Sequence, residues 1–479
     1  MFELESTDVQ GLVVTSYSNL PCATYLLLQV TDPVGARSWL SQHLREITVS
    51  VKSDAQFATN LAFTSTGLRR LGLSEKVVST FSRPFQEGIA TEHRQRVLGD
   101  QDENDPTKWM WGNDKKQVDA LLLIFAADEN VLKSQVQFRH QELAASGFAE
   151  VVVLSAGRNP DSHEHFGFSD GIGQPVMEGT GNKQRQFART NHATELPAGE
   201  FLMGFTNVYG VTADSPVVAA ADDPNKNLPD VPGDTTGLHG QSGMRDLGRN
   251  GTYLVFRHLA QNVSKFWNFV DFATHNSNDP SAADRLAAKF VGRWKSGAPL
   301  VLSPKDDNDT LASENNFAYL DKDPHGFKCP IGSHIRRSNP RDALGPDAPT
   351  ALASANRHRI LRRGRSYGDR AKDPRVNDGQ DRGLIFICLN SDIERQFEFV
   401  QQTWINNPVF GGLDGEVDPL VGNIPKGDSI FTVQGEPLRT RVHGLSRFVT
   451  VKGGAYFFLP SMRALKYLAS LGSSGPKEV

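Results

Sequence analysis

Two stretches far apart in the chain read alike. Residues 121–138, "LLLIFAADENVLKSQVQF", and residues 384–399, "LIFICLNSDIERQFEF", each pass from an apolar run through a polar turn into an amphipathic pattern. A short apolar run bounded by turn residues is a buried strand, and apolar spacing of 3.6 is a helix with one buried stripe. In the second copy that stripe is Ile393, Phe397, Val400 and Trp404. Recurrence of one such unit predicts a fold assembled twice from the same supersecondary pattern.

The flanking segments extend both copies. "TYLLLQVT" (24–31), "NLAFTSTGLRRLGL" (60–73), "VDALLLIFAAD" (118–128) and "AEVVVLSA" (149–156) read as strands, the second turning into a helix. Asp32 stands as N-cap of a helix carrying Val34, Trp39, Leu40 and Leu44, and 129–147 is a helix closed by Gly147. The later half repeats the order: strand 250–259, helices 261–273 and 283–294, strand 381–390, helix 391–406. "SRFVTVKGGAYFFLP" (446–460) is expected to be a hairpin around Gly453-Gly454, and 75–117 to be mostly loop. This is an α+β pattern of two ferredoxin-like halves, antiparallel sheets with helices on their outer faces. The expected division is 1–216, a connecting loop at 217–249 rich in Asp, Pro and Gly, and 250–479.

Bulk properties exclude several function classes. With 479 residues and a formal net charge of −4, there is no global field to attract nucleic acid. Cys22, Cys329 and Cys388 are too few and scattered for a disulfide framework. The start "MFELESTDVQ" lacks a basic, then apolar, leader, and no apolar run reaches membrane-spanning length, so a cytoplasmic location without membrane partners is expected.

Three constellations could carry chemistry. The first is "HEHFGFSDGIGQP" (163–175). Asp170 in its glycine turn is either an Asx-type turn residue or a positioned acid/base, while His163 and His165 at strand spacing offer a metal reading. The second is "DPHGFKCPIGSHIRRSNPRD" (323–342), in which His334 could ligate a flat dianionic cofactor and Arg341 pair with its carboxylates. His325 is a rival ligand. Cys329 is a weaker one, and the segment is not a Cys-x-x-Cys-His attachment site. The third is "NRHRILRRGRSYG" (356–368); an arginine here could project to where negative charge develops.

Together these motifs resemble the dye-decolorizing peroxidase family of haem b enzymes. "GFSDG" is similar to its G-x-x-D-G motif, "SHIRRSNPR" to its proximal histidine segment and "LRRGRSYG" to its distal arginine segment. The length and the long 300–350 segment resemble the larger bacterial subgroup. The resemblance implies a dimeric α+β barrel fold, with haem in the second half and room for a homodimer. It implies reduction of H2O2 and oxidation of bulky dyes, phenols and other aromatic donors. His334 would be the axial iron ligand and Arg341 the propionate partner. Asp170 would move the peroxide proton, which predicts an acidic optimum. Arg362 would stabilise charge during O–O cleavage, with Arg363 as the neighbour that a one-residue shift would select. Asp418, or else Asp414, would hydrogen-bond the axial histidine. Leu384 and Phe386 would line the distal side, and His165 would touch a propionate. Tyr367 and Trp404 would be surface radical sites. Two alternatives remain at this stage. One is a haem protein of the chlorite dismutase or deferrochelatase kind; the other is a non-haem metal site at His163 and His165.

Overall fold

The computed structural model describes residues 3–143, 145–180, 195–231, 243–424, 427 and 429–472. The apolar runs become seven long strands, and a short interrupted one completes a set of eight. The N-terminal half supplies β1 (Cys22–Val30), β2 (Phe57–Phe63), β3 (Ala120–Ala126) and β4 (Phe148–Gly157). The C-terminal half supplies β5 (Thr252–Gln261), β6 (Leu361–Arg362 and Arg365–Tyr367), β7 (Gly383–Asn390) and β8 (Val449–Leu459). Within each half the antiparallel order is fourth, first, third, second, as in a ferredoxin-like sheet: β4-β1-β3-β2 and β8-β5-β7-β6. The duplication is therefore a repetition of topology as well as of pattern.

The two sheets join edge to edge into a closed barrel. Each seam rests on one register pair, Phe458 with Phe63 and Ser366 with Gly157. Closure removes the exposed sheet edges that two separate sheets would leave. Tyr25, Phe125, Phe256, Ile385 and Phe457 fill the interior together. The alternate residues, among them Leu26, Leu122, Val255, Tyr456 and Phe458, face outward into a second core. Burial on both faces explains why these strands read as unbroken apolar runs rather than alternating ones.

Helices cover the outer faces. α1 (Pro33–His43) starts at Asp32, whose side chain accepts the Val34 and Gly35 N–H groups, and it packs Trp39 and Leu40 on the N-terminal half. α2 (Glu129–Leu143) lies beside β3. On the other half, α3 (Val263–Thr274) and α4 (Ala282–Val291) build a separate core around Phe266, Trp267 and Phe290. No helix among the described residues is long and apolar enough to cross a membrane.

Three expectations fail. The segment 446–460 is one strand, not a hairpin. Its glycines serve packing: a Cβ on Gly453 would lie 2.6 Å from the Trp111 ring. The stretch 75–117 contains helices Glu75–Val78, Arg83–Glu87 and Glu92–Leu98, each too short for an apolar period to register. The predicted helix 391–406 is wound as π-helix over Glu394–Glu398 and Val400–Ile405.

Candidate active site

The outer face of the C-terminal strands does not pack fully against its helices. A cavity of about 310 Å³ lies there. Its walls include Arg257, Leu259 and Gln261 of β5, Arg362 of β6, Leu384 and Phe386 of β7, and Val449 and Val451 of β8. The π-helical segment adds Phe397, Val400, Gln401 and Ile405. The barrel interior is filled with side chains, so the site is a pocket on the barrel's flank.

One polar pair belongs to the short helix α5 (His334–Ser338). His334 Nδ1 stands 2.9 Å from Asp418 Oδ2. Asp418 is fully buried, and its other oxygen accepts the Leu420 and Val421 N–H groups, each at 2.9 Å. The carboxylate thereby fixes the ring and makes Nδ1 the donor, leaving Nε2 as the nitrogen with a free lone pair. Burial works against ionising His334, but the Asp418 charge and hydrogen bond outweigh it and hold its pKa above the ordinary value. Asp418 is itself held below the carboxylate range: burial opposes this, and the His334 charge and hydrogen bond prevail.

The second pair is Asp170 with Arg362. Arg362 Nη1 donates to Asp170 Oδ1 at 3.0 Å, and the Gly171 N–H donates to the same oxygen at 2.6 Å. Some 42% of the Asp170 side chain is open, and the residue lines the cavity. Burial opposes its ionisation, but Arg362 and the Gly171 N–H overcome it and keep the pKa below the usual value. Gly167 and Gly171 carry φ of +96° and +87°, so the turn needs glycine at both positions. Arg362 pairs in register with Cys388 on the outward face of the strand. Adjacent strand residues point oppositely. Accordingly Arg363 turns away from the cavity and donates to the Leu12 and Val13 carbonyls, each at 2.7 Å.

A third group was only partly foreseen. Arg293, Arg341 and Arg359 are all buried and line the cavity. Arg341 donates to the Asn315 and Phe317 carbonyls and stacks 3.8 Å over the Phe317 ring. The Arg359 guanidinium donates to Gly173 O at 3.1 Å and to no other protein group among the described residues. Among the described residues no carboxylate forms an ion pair with any of the three. Burial, reinforced by Arg341 and Arg362, pushes Arg359 down to about 9. These three guanidinium groups therefore leave this wall of the cavity positively charged.

Other sequence candidates fall elsewhere. His165 does not line the cavity; it lies in a turn, and its Nε2 meets the Tyr367 carbonyl at 2.8 Å. His163 lies against Asp161 and shares no ligand cluster with His165 among the described residues. His325 is exposed, and neither it nor Cys329 reaches the cavity. Asp414 is exposed, away from His334's partner position. Trp404 is 5% exposed, covered by Phe399 and His358, and is a core ring rather than a surface one. Tyr367 is half-buried, its hydroxyl 3.2 Å from Asp381. Glu164 and Arg359, both in the cavity wall, went unnoticed in the sequence. Arg359 had a signal, being one of a dense run of arginines.

The fold is thus a closed α+β barrel of two ferredoxin-like halves, with a histidine–carboxylate pair, an aspartate–arginine pair and three buried arginines at a cavity on one flank. The family model described as "DyP dimeric alpha+beta barrel domain" matches residues 13–159. A dye-decolorizing peroxidase of Mycena epipterygia is 30% identical over 456 residues, covering 86% of this chain and 76% of the relative. A multifunctional dye peroxidase of Amycolatopsis sp. is also 30% identical, covering 76% of this chain and 74% of the relative. A solved dye-decolorizing peroxidase in complex with 2,6-dimethoxyphenol superimposes with TM-score 0.74 at 25% identity, covering 97% of this chain and 100% of that one. The chain belongs to the dye-decolorizing peroxidase family and is an H2O2-dependent haem peroxidase.

Proposed function

We propose that this enzyme binds haem b on the flank of its C-terminal half, reduces H2O2 there and oxidises phenols, dyes and similar bulky aromatic donors. The observation that carries this reading is that His334, held from behind by Asp418, and the Asp170–Arg362 pair line one cavity. The residues fit the group. His334 offers one nitrogen, Leu384, Phe386, Val400 and Leu420 offer apolar walls, and Arg341, Arg293 and Arg359 offer countercharge for two propionates. Haem, when bound, supplies the redox-active iron at which peroxide is reduced.

The chain's own groups do the rest. Asp418 holds His334 in one tautomer and increases its basicity toward a metal. Asp170 is kept ionised by Arg362 and Gly171, so it can accept a proton from H2O2 and return it to the departing oxygen. Arg362 stabilises the negative charge that develops as the O–O bond breaks. Because Asp170 stays ionised into acid, this proton transfer keeps working at acid pH, as the expected acidic optimum requires. Donors too large for the cavity are oxidised through Tyr367, which is reachable from the surface at Asp381. The proposed units are residues 1–216 and 250–479 joined by 217–249, in a cytoplasmic protein. Turnover of 2,6-dimethoxyphenol and an anthraquinone dye with H2O2 by the haem-loaded enzyme tests the reading. Consumption of neither donor would overturn it.

A further inference from the structure

Asp170 sits at the end of a short loop whose geometry is held by a second carboxylate. Glu164 lines the same cavity, yet its oxygens are committed to backbone. Oε2 accepts the Phe166 N–H at 2.8 Å and Oε1 accepts the Phe168 N–H at 2.9 Å. The main chain closes around the same turn, with Glu164 N–H donating to Phe168 O and Gly167 N–H to Glu164 O, both at 2.9 Å. A third side-chain bond leaves the loop altogether: Gln261 of β5 donates to Glu164 Oε2 at 2.6 Å. Loop and barrel wall come from different halves of the molecule, so this is a direct tie between them. Phe166 adds an apolar anchor, stacked 4.6 Å from Phe266 of α3.

We propose that Glu164 is the positioning residue of the distal site, setting the loop so that the Asp170 carboxylate meets Arg362 over the cavity. The carboxylate form suits this task. Two backbone N–H groups and one amide N–H converge on it, three donors on a group with acceptors only. An amide in its place would turn its own NH2 toward at least one of those donors. Asp170 lies only two residues beyond Phe168, and its own N–H is bonded back to Ser162 O, on the other side of Glu164, at 3.2 Å. A shift of the turn is thus passed to Asp170 with little slack. Misplacement of a reacting group by about 1 Å costs on the order of 100-fold in rate.

This inference rests on the reading of Asp170 given above, and the test separates the two. Stopped-flow absorbance of the haem-loaded enzyme gives the second-order rate constant with H2O2 for wild type, Glu164→Gln, Asp170→Asn and the double variant. Glu164→Gln is expected to keep its haem absorbance and lose about 10- to 100-fold in that constant. In the Asp170→Asn background the same change should cost less than about twofold, because residues acting through one another are non-additive. An unchanged constant for Glu164→Gln, or an equal loss in both backgrounds, overturns the positioning role. If Asp170→Asn alone leaves the constant unchanged, the reading of Asp170 itself falls. Gln261→Ala is the companion variant. It removes only the tie to β5, and an intermediate loss that vanishes in the Asp170→Asn background is expected; no loss at all would restrict the role to the two backbone bonds and contradict the proposed tie between the halves.

Discussion

At the residue scale, the site works through pairs in which one group sets the state of another. Arg362 lowers the pKa of Asp170, so the carboxylate is ionised above that depressed value and the H2O2 step should fail only as pH drops through it. Arg362→Leu removes the charge and one hydrogen bond, so burial dominates and the acid limb of the pH–rate profile should move upward; a limb that stays in place would contradict the pairing. Asp418→Asn keeps a hydrogen-bonding partner near His334 but deletes its charge. Haem should stay bound while the iron's reduction potential rises, and activity should fall about 10- to 100-fold, which spectroelectrochemistry and turnover can check. Asp170, His334 and Arg362 were legible because each stands inside a short, distinctive word. Glu164 was not: its meaning lies in Gln261, nearly a hundred residues later. His165 stands in the same word, but it sits in a turn where its ring is engaged by the Tyr367 carbonyl instead of the cavity.

At the element scale, local signals told strand from helix well and told little about what each element must accommodate. The hairpin expected at Gly453-Gly454 is a continuous β8, because those glycines make room for the Trp111 ring and not for a turn. Nothing in the local string distinguishes the two uses; only Trp111, from another part of the chain, does. Gly453→Val should therefore destabilise the protein by about 1–3 kcal/mol through overpacking, read as a lower denaturant midpoint. A midpoint at or above that of the wild type would contradict the close packing of Gly453 on the Trp111 ring. The π-helical winding of 394–405 was equally hidden. Phe397, Val400, Gln401 and Ile405 of this segment all face the cavity. Such windings concentrate at functional sites.

At the scale of the whole molecule, duplication was readable from two similar strings, but closure into one barrel was not, since each seam depends on a single register pair. The doubled topology leaves the C-terminal flank with a cavity where Arg293, Arg341 and Arg359 are buried without a carboxylate partner among the described residues. Their repulsion should weaken the protein without cofactor. Haem loading should raise the melting temperature, the more so because a ligand that binds only the folded state adds about 2.7 kcal/mol at a hundredfold excess over its Kd; equal melting with and without haem would contradict haem binding there. The central claim, that His334 is the nitrogen ligand of this cavity, has one direct test. The absorption spectrum of haem-reconstituted protein should show a Soret band that is lost or displaced in His334→Ala and retained in His325→Ala. An unaltered band in His334→Ala would contradict it.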